Sequence, residues 1–207
     1  EPMDHRGLLG TQGVPTLGGM AAANVSGPRR ISVGACRDFM LGVRFVDGQG
    51  NIIKNGGRVM KNVTGYDLVK LMAGSYGTLG VLTEVALKVL PDVETTGTLR
   101  LHGLTDRQAV QALSAALGSP FEATAAAHLP KGPAGEPVTM LRIEGFETSV
   151  KYRAGKLQEL LKGYGDVAVT LGDGAEWAAV RDVSAFADQA GNVWRISAKP
   201  SDAPELV

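Results

Sequence analysis

The sequence has few of the residues that build disulfides and metal centres. Its 207 residues include one cysteine, Cys36, and three well-separated histidines, His5, His102 and His128. This composition excludes a disulfide scaffold and a CxxC metal site, and the histidines lack metal-ligand spacing, so we predict no metal centre. No apolar run approaches the roughly 20 residues of a membrane-spanning helix, and no signal-peptide pattern is visible. We therefore expect a cytoplasmic chain.

The sequence also lacks an excess of charge, with 21 Lys and Arg against 21 Asp and Glu. This balance excludes a broadly basic nucleic-acid surface, so we predict no nucleic-acid partner. The two parts of the chain differ, however. Residues 1–91 carry 10 basic and 6 acidic groups, and residues 92–207 carry 11 and 15. A mildly basic first part suits an anionic ligand, although chance drift of charge in a loop-rich domain explains it equally well.

Glycine is abundant: the chain has 28 glycines, about twice the usual share of roughly 7%. Sixteen of them fall within residues 1–91. The glycine and charge shifts both coincide with Pro91-Asp92, so we predict two domains, 1–91 and 92–207.

Residues 1–91 are predicted to form short strands and at least one helix, joined by glycine turns. Two apolar runs, Gly42–Val46 and Asn51–Lys54, flank an Asp-Gly turn and predict a hairpin. A short helix is expected from Asp67 as N-cap to Gly74. In a strand over 81–89, alternation groups Val81, Thr83, Val85, Leu87 and Val89 on one face, opposite Glu84 and Lys88.

Residues 92–207 show the order β-α-β-β-α-β, which predicts a ferredoxin-like antiparallel sheet with helices on one face. Strands are expected over 99–102, 123–128, 138–143 and 167–170. The first helix begins at Thr105 in a capping box with Gln108 and ends at Gly118. Its predicted buried residues are Ala109, Val110, Leu113, Ala116 and Leu117.

Two more helices are expected in this second part. The helix over 148–161 is predicted to bury Leu157, Leu160 and Leu161, and a third helix opens at Asp173, with Glu176 three residues on. Ser201 to Val207 have the composition of the opening turn of a further helix, and the first residues form a glycine-rich coil. We therefore expect the chain to be cut at both ends.

Two glycine-rich segments are candidates for ligand binding. The first is Thr16–Arg30, in which Gly18-Gly19 precede small residues; the second runs through Gly74, Gly77 and Gly80 into a strand. Bare backbone of this kind brings N–H groups close to a phosphate or lets a flat ring lie against the chain. Neither segment has the GxGxxG or GxxxxGK[ST] pattern. Taken alone, each is explained equally well by tight packing on a sheet.

Taken together, the two segments resemble a known family. Thr-x-Gly-Gly and Asn-x-Ser-Gly-Pro, then Arg37-Asp38 with Leu41-Gly42, then Gly-Tyr-Asp and Gly-Ser-x-Gly-Thr-Leu-Gly, occur in that order. This resembles the FAD-binding domain of the vanillyl-alcohol oxidase / p-cresol methylhydroxylase (PCMH) type. Within it, Arg58–Asp67 most resembles the E-type, FAD-binding subunit of bacterial glycolate oxidase. The resemblance covers 13–91 and is weaker beyond Pro91.

The resemblance implies an α+β fold and FAD as cofactor. Residues 1–91 are then the C-terminal part, or second subdomain, of a PCMH-type domain, and 92–207 form an incomplete ferredoxin-like cap domain. Along the pyrophosphate and flavin, the implied cofactor-binding residues are Thr16, Gly18, Gly19, Ala22, Asn24, Gly27, Arg37, Asp38, Gly77, Thr78, Gly80 and Val81.

Two departures from the family pattern stand out. The family commonly has Glu where this chain has Tyr76, which puts any polar contact there in doubt. The first FAD subdomain, which precedes these motifs in the family, is not in the sequence. We therefore expect the 207 residues alone to bind FAD weakly or not at all.

The resemblance further implies one component of a glycolate-oxidase-like complex that takes part in oxidising a small 2-hydroxy acid, glycolate to glyoxylate, and in electron transfer. Its partners are then the D-type flavoprotein subunit and an iron–sulfur subunit. Any association of the chain with the inner membrane is expected to be indirect, through these partner subunits. Two alternatives stay open: a self-sufficient FAD-dependent D-2-hydroxy-acid dehydrogenase, and a non-catalytic assembly subunit that has lost FAD.

No catalytic residue is identified from the sequence. His102 and His128 fall on predicted strands, where a histidine with structural hydrogen bonds is commoner than a catalyst. Cys36 is expected to be a small buried thiol, and Trp177 and Trp194 are expected to be packing anchors.

Overall fold

The computed structural model describes residues 2–60, 65–172, 174–187 and 189–206. The chain divides into two compact units. Unit 1 comprises Glu1–Pro91 and Arg181–Asp188, and unit 2 comprises Asp92–Val180 and Gln189–Val207. Within the described residues, no helix has the length and apolar character needed to cross a membrane.

Unit 1 combines short helices with a small antiparallel sheet. Its elements are α1 (Arg6–Leu9), α2 (Leu17–Ala23), α3 (Arg30–Val33), α4 (Cys36–Phe39), β1 (Met40–Val46), β2 (Ile52–Gly56), α5 (Leu68–Met72) and β3 (Val81–Leu87). The strands lie in the order β2-β1-β3. The core packed against this sheet consists of Ala21, Met40, Val43, Phe45, Val69 and Met72.

The predicted hairpin and the predicted short helix of unit 1 are confirmed. In the hairpin, β1 pairs with β2 so that Val46 faces Ile52. The Asp47 carboxylate accepts hydrogen bonds at 2.9 Å from the N–H groups of Gln49 and Asn51, which fixes the turn. Hydrogen bonds from Asn51 also hold the pKa of Asp47 below its usual value. In α5, the Asp67 side chain accepts a 3.0 Å bond from the N–H of Lys70 as an N-cap.

The predicted face of β3 is confirmed for Val85 and Leu87, which pack against the core, and is wrong for Val81 because the strand pairing contains a β-bulge. Arg44 pairs with Glu84, but the next β1 residue, Phe45, pairs with Leu82, so that one β3 residue is skipped. A one-residue shift exchanges the two faces of a strand. Leu82 therefore packs against the core, and Val81 is 68% exposed.

Unit 2 has the predicted β-α-β-β-α-β order. Its elements are β4 (Thr95–His102), α6 (Asp106–Leu117), β5 (Ala125–Leu129), β6 (Val138–Gly145), α7 (Glu147–Leu161), β7 (Ala168–Gly172), α8 (Glu176–Arg181, which ends in unit 1) and α9 (Ala203–Leu206). The strand order is β5-β6-β4-β7, and every neighbouring pair is antiparallel. This is the ferredoxin-like arrangement that the sequence predicts.

The helices α6 and α7 pack on one face of this sheet. The capping box of α6 is confirmed, with the Thr105 N–H donating to Gln108 Oε1 at 3.1 Å. The buried core is formed by Leu99, Leu101, Leu104, Ala109, Ala112, Ala116, Leu141, Ile143, Val150, Ala154, Leu157 and Leu161.

The predicted apolar faces of these helices need two corrections. Leu117 and Leu160 are exposed, whereas Ala112 and Val150 are buried. Successive helical residues are about 100° apart, so a leucine adjacent to a buried position turns away from the core. The predicted third helix exists as α8 and begins at Glu176. Its expected first residue, Asp173, lies outside the described residues.

Among the described residues, Trp177 is the largest buried side chain on the opposite face of the unit 2 sheet, and Val180 packs beside it. The tryptophan is 1% exposed and lies against Ala125, Val138 and Met140. Its indole N–H donates a 3.0 Å hydrogen bond to Thr98 Oγ1, and the Arg142 guanidinium lies 5.2 Å from the ring centroid. Trp177 is therefore the packing anchor predicted for it. Trp194 is not, because its side chain is 82% exposed.

Candidate functional site

The first glycine-rich segment begins at a capped helix start. Thr16 is extended, with φ −116° and ψ 153°, and its Oγ1 accepts a 3.0 Å hydrogen bond from the N–H of Gly19. Gly18 faces β3, where an added Cβ would lie 3.5 Å from the carbonyl oxygen of Leu82. Gly18 thus packs on β3 at a distance that would admit a Cβ in ordinary contact, and Gly19 forms part of the cap.

The C-terminal end of α2 is followed by two polar side chains of the first glycine-rich segment. Asn24, a predicted cofactor-binding residue, has φ 50° and ψ 40°, and its Oδ1 accepts a 2.9 Å bond from the N–H of Arg37. Ser26 Oγ accepts a 2.9 Å bond from the N–H of Cys36. Both side chains therefore fix the segment that contains α4.

Arg37 and Asp38 both form hydrogen bonds within unit 1, Arg37 through its backbone carbonyl and Asp38 through its carboxylate. Asp38 Oδ2 accepts a 2.7 Å hydrogen bond from the N–H of Ala35. The Lys70 ammonium donates to the carbonyl oxygens of Arg37 and Met40, at 2.5 and 3.1 Å. The sequence did not point to Lys70, since a lysine on a short helix carries no signal of this clamp.

The second glycine-rich segment meets the first directly. The N–H of Gly74 donates to Ala21 O at 3.3 Å, and the N–H of Tyr76 donates to Ala22 O at 2.9 Å. These bonds join the 74–76 loop to backbone carbonyls in the last turn of α2. Two segments that are far apart in the sequence therefore form one continuous backbone surface.

Beyond this junction the loop presents an open face, which we define as Tyr76, Gly77, Thr78 and Val81. Gly77 has φ 75°, and an added Cβ would meet nothing within 4 Å. The Thr78 hydroxyl donates a 2.6 Å bond to Ser75 O. That bond holds the hydroxyl on the loop itself, so the open face presents the bare backbone of Gly77 beside the exposed side chains of Tyr76 and Val81.

Gly80 has a different role from Gly77. Its φ is 157°, and an added Cβ would lie 2.5 Å from the carbonyl oxygen of Val46 and 2.9 Å from the Phe45 ring. Gly80 is therefore required for the close approach of the loop to β1, and of these two glycines it is Gly77 that leaves space for a ligand.

Ser75 is a candidate residue that was not predicted from the sequence. Its Oγ is buried, and within the described residues it has no hydrogen-bond partner. A buried hydroxyl without a partner costs free energy, so it marks a place where a further polar group fits. The Gly-Ser-x-Gly spacing was the available signal.

Two pockets in unit 1 adjoin the predicted residues. A pocket of about 500 Å³ is lined by Thr16, Gly19, Met20 and the N-terminal coil. A pocket of about 330 Å³ is lined by Gly27, Arg29, Arg30 and Cys36. Burial raises the pKa of the Cys36 thiol, so the thiol stays neutral near pH 7.

The two histidines of unit 2 are engaged in structural hydrogen bonds. His102 Nδ1 lies 3.0 Å from Glu136 Oε1. The ring of His128 lies 2.9 Å from both Asp106 Oδ1 and Thr139 Oγ1. His102 thus links β4 to the loop before β6, and His128 links β5 to α6 and β6; neither histidine is placed as a free base.

Several predicted positions are brought together, and others are not. One group of predicted residues lies along α2 up to its junction with the second loop: Thr16, Gly18, Gly19, Ala22 and Asn24. A second group lies on that loop and at the start of β3: Gly77, Thr78, Gly80 and Val81. Gly27 lies in the smaller pocket. Of the Arg58–Asp67 stretch that carries the family resemblance, residues 61–64 lie outside the described residues.

Comparison with known proteins supports the resemblance carried by these motifs. No protein-family model matches the chain. Over 192 residues, 92% of this chain, it is 40% identical to glycolate oxidase subunit GlcE of Escherichia coli (strain K12), of which the match covers 50%. It is 43% identical over 86 residues, 42% of this chain, to glycolate oxidase subunit GlcD of Bacillus subtilis (strain 168), of which the match covers 18%.

The fold is shared with a solved structure. Alkyldihydroxyacetonephosphate synthase matches with a TM-score of 0.63 at 22% identity, over 83% of this chain and 36% of that chain. The chain spans at most about half the length of these curated relatives. The resemblance is therefore confirmed: the chain has a mixed helix and antiparallel-sheet fold of the PCMH type and is similar, over nearly all of its length, to glycolate oxidase subunit GlcE.

Proposed function

We propose that this chain supplies one side of an FAD-binding site in a glycolate-oxidase-like flavoprotein. The observation that carries the proposal is the pair of backbone bonds from Gly74 and Tyr76 to the end of α2, which unites the two glycine-rich segments. In this proposal residues 1–91 are the C-terminal part of the FAD-binding domain, and 92–207 form the cap domain.

The residues present fit such a cofactor. Gly77 leaves the open face free of a Cβ, so a flat ring or a ribityl chain has room to lie against the backbone. The buried Ser75 hydroxyl is available for a further hydrogen bond. Thr16 and Gly19 line the larger pocket at the other end of α2. These residues hold the cofactor in our proposal, together with the other predicted positions.

When bound, FAD would accept two electrons from a 2-hydroxy acid and release them one at a time. The chain's own residues position the site. Asn24 holds α4 through the N–H of Arg37, and Lys70 clamps the same segment from α5. Since His102 and His128 have structural partners, we assign no general base to this chain.

We propose the role of the E-type subunit rather than that of the D-type subunit. The similarity to GlcE extends over 92% of the chain, whereas the similarity to GlcD covers 42% of the chain. The proposed partners are then a D-type flavoprotein subunit and an iron–sulfur subunit, with glycolate as the substrate of the complex. Contact with a membrane is proposed only through those partners.

The visible spectrum of the full-length native protein, rather than of the 207 residues alone, tests this function. We expect flavin absorption bands after FAD is added and the excess removed. We expect them to persist when glycolate is added without the partner subunits. A colourless protein that takes up no FAD would contradict the cofactor assignment and favour an assembly role. Bands that bleach with glycolate alone would indicate a self-sufficient dehydrogenase.

A further inference from the structure

Tyr76 has an unusual backbone for its residue type. Its φ is +53°, in the left-handed region that a bulky side chain rarely occupies. The conformation is fixed because the Tyr76 N–H donates to Ala22 O at 2.9 Å, and Gly74 and Gly77 on either side also have positive φ. A glycine at position 76 would adopt this backbone without strain.

Within the described residues, no hydrogen bond or ring contact of the Tyr76 side chain compensates for this backbone strain. The side chain is 74% exposed. Asn24 offers a contrast, since its left-handed backbone is accompanied by a side-chain bond to the N–H of Arg37. Strain of this kind commonly persists where a residue serves binding.

The surroundings of the ring define what it is suited to bind. Gly77 follows directly and offers bare backbone, and the Thr78 hydroxyl is held by Ser75 O. The phenol ring is therefore exposed beside the bare backbone of Gly77, with the exposed side chains of Leu79 and Val81 further along the loop. An aromatic ring exposed next to bare peptide groups is suited to stacking on a flat, conjugated ligand.

We propose that Tyr76 stacks on the flat ring system of the flavin cofactor and helps to orient it. This inference rests on the proposed function and adds a residue whose role differs from the backbone contacts assigned to its neighbours. The strained backbone is the cost of presenting an aromatic ring at a position where glycine is the relaxed choice.

The test compares Tyr76→Gly and Tyr76→Phe in the native protein. Tyr76→Gly is expected to leave the melting temperature unchanged or raised, to weaken FAD binding about tenfold, and to increase the fluorescence of bound flavin, because a stacked phenol quenches it by donating an electron to the excited flavin. Tyr76→Phe keeps the ring and is expected to preserve the affinity, while the flavin fluorescence rises because a phenyl ring is a much poorer electron donor than a phenol.

Val183→Gly is the matched control, since Val183 has the same φ of +53°. It relieves similar strain and is expected to leave FAD binding unchanged. If Tyr76→Gly binds FAD with the affinity and fluorescence of the unmodified protein, the stacking role is wrong and the proposed function stands. If the unmodified protein binds no FAD, both proposals fail, and that measurement alone shows it.

Discussion

Trp177→Ala is expected to lower the free energy of unfolding of unit 2 by about 3–5 kcal/mol. Trp177 is 1% exposed and fills the sheet face formed by Ala125, Val138 and Met140. Its removal leaves a large cavity there. It also deprives the buried Thr98 hydroxyl of the 3.0 Å bond from the indole.

Urea denaturation followed by far-ultraviolet circular dichroism measures this effect. Trp194→Ala is the matched control, because that ring is 82% exposed and its loss is expected to change the stability by less than about 0.5 kcal/mol. Since the chain has two tryptophans, the control variant also isolates the fluorescence of Trp177, which we expect to be shielded from acrylamide. Equal effects of the two substitutions would contradict the anchoring role of Trp177.

Gly80→Ala is expected to destabilise unit 1 by about 2–4 kcal/mol. The new Cβ would lie 2.5 Å from the carbonyl oxygen of Val46, so that β1 and the loop must separate. The φ of 157° adds strain for any residue with a side chain.

Gly77→Ala is the control for backbone strain without a clash. Gly77 has φ 75° and open space around it, so this variant is expected to lose only about 1–2 kcal/mol. Thermal denaturation of both variants separates the two contributions. A Gly80→Ala variant as stable as Gly77→Ala would show that close packing at Gly80 does not hold the loop on β1.

Local signals predicted much of the fold. The Thr105–Gln108 capping box and the Asp-Gly hairpin each depend on residues close in sequence, and both are present. The face of the first part of β3, at Val81, was predicted wrongly because the bulge between Arg44 and Phe45 depends on pairing with a distant strand. The alternation of apolar and polar residues within β3 does not indicate this shift in register.

The sequence pointed to the two glycine-rich segments that the structure joins, but not to the separate roles of their residues. The glycine spacing located the loop, but it did not separate Gly77, which leaves open space, from Gly80, which packs on β1. Nor did it reveal that Asn24 and Ser26 bond to the α4 segment. Those roles depend on which backbone groups the fold brings near, and composition alone does not fix them.

The central claim, that the open face of unit 1 holds FAD, is tested most directly by titrating FAD into Gly77→Asn and Gly103→Asn variants of the native protein. Asparagine tolerates the left-handed backbone of both sites, where φ is 75° and 72° and no atom lies within 4 Å of an added Cβ. We predict that Gly77→Asn weakens FAD binding at least about tenfold and that Gly103→Asn, in unit 2, leaves it unchanged. Equal FAD affinity in the two variants would contradict the account.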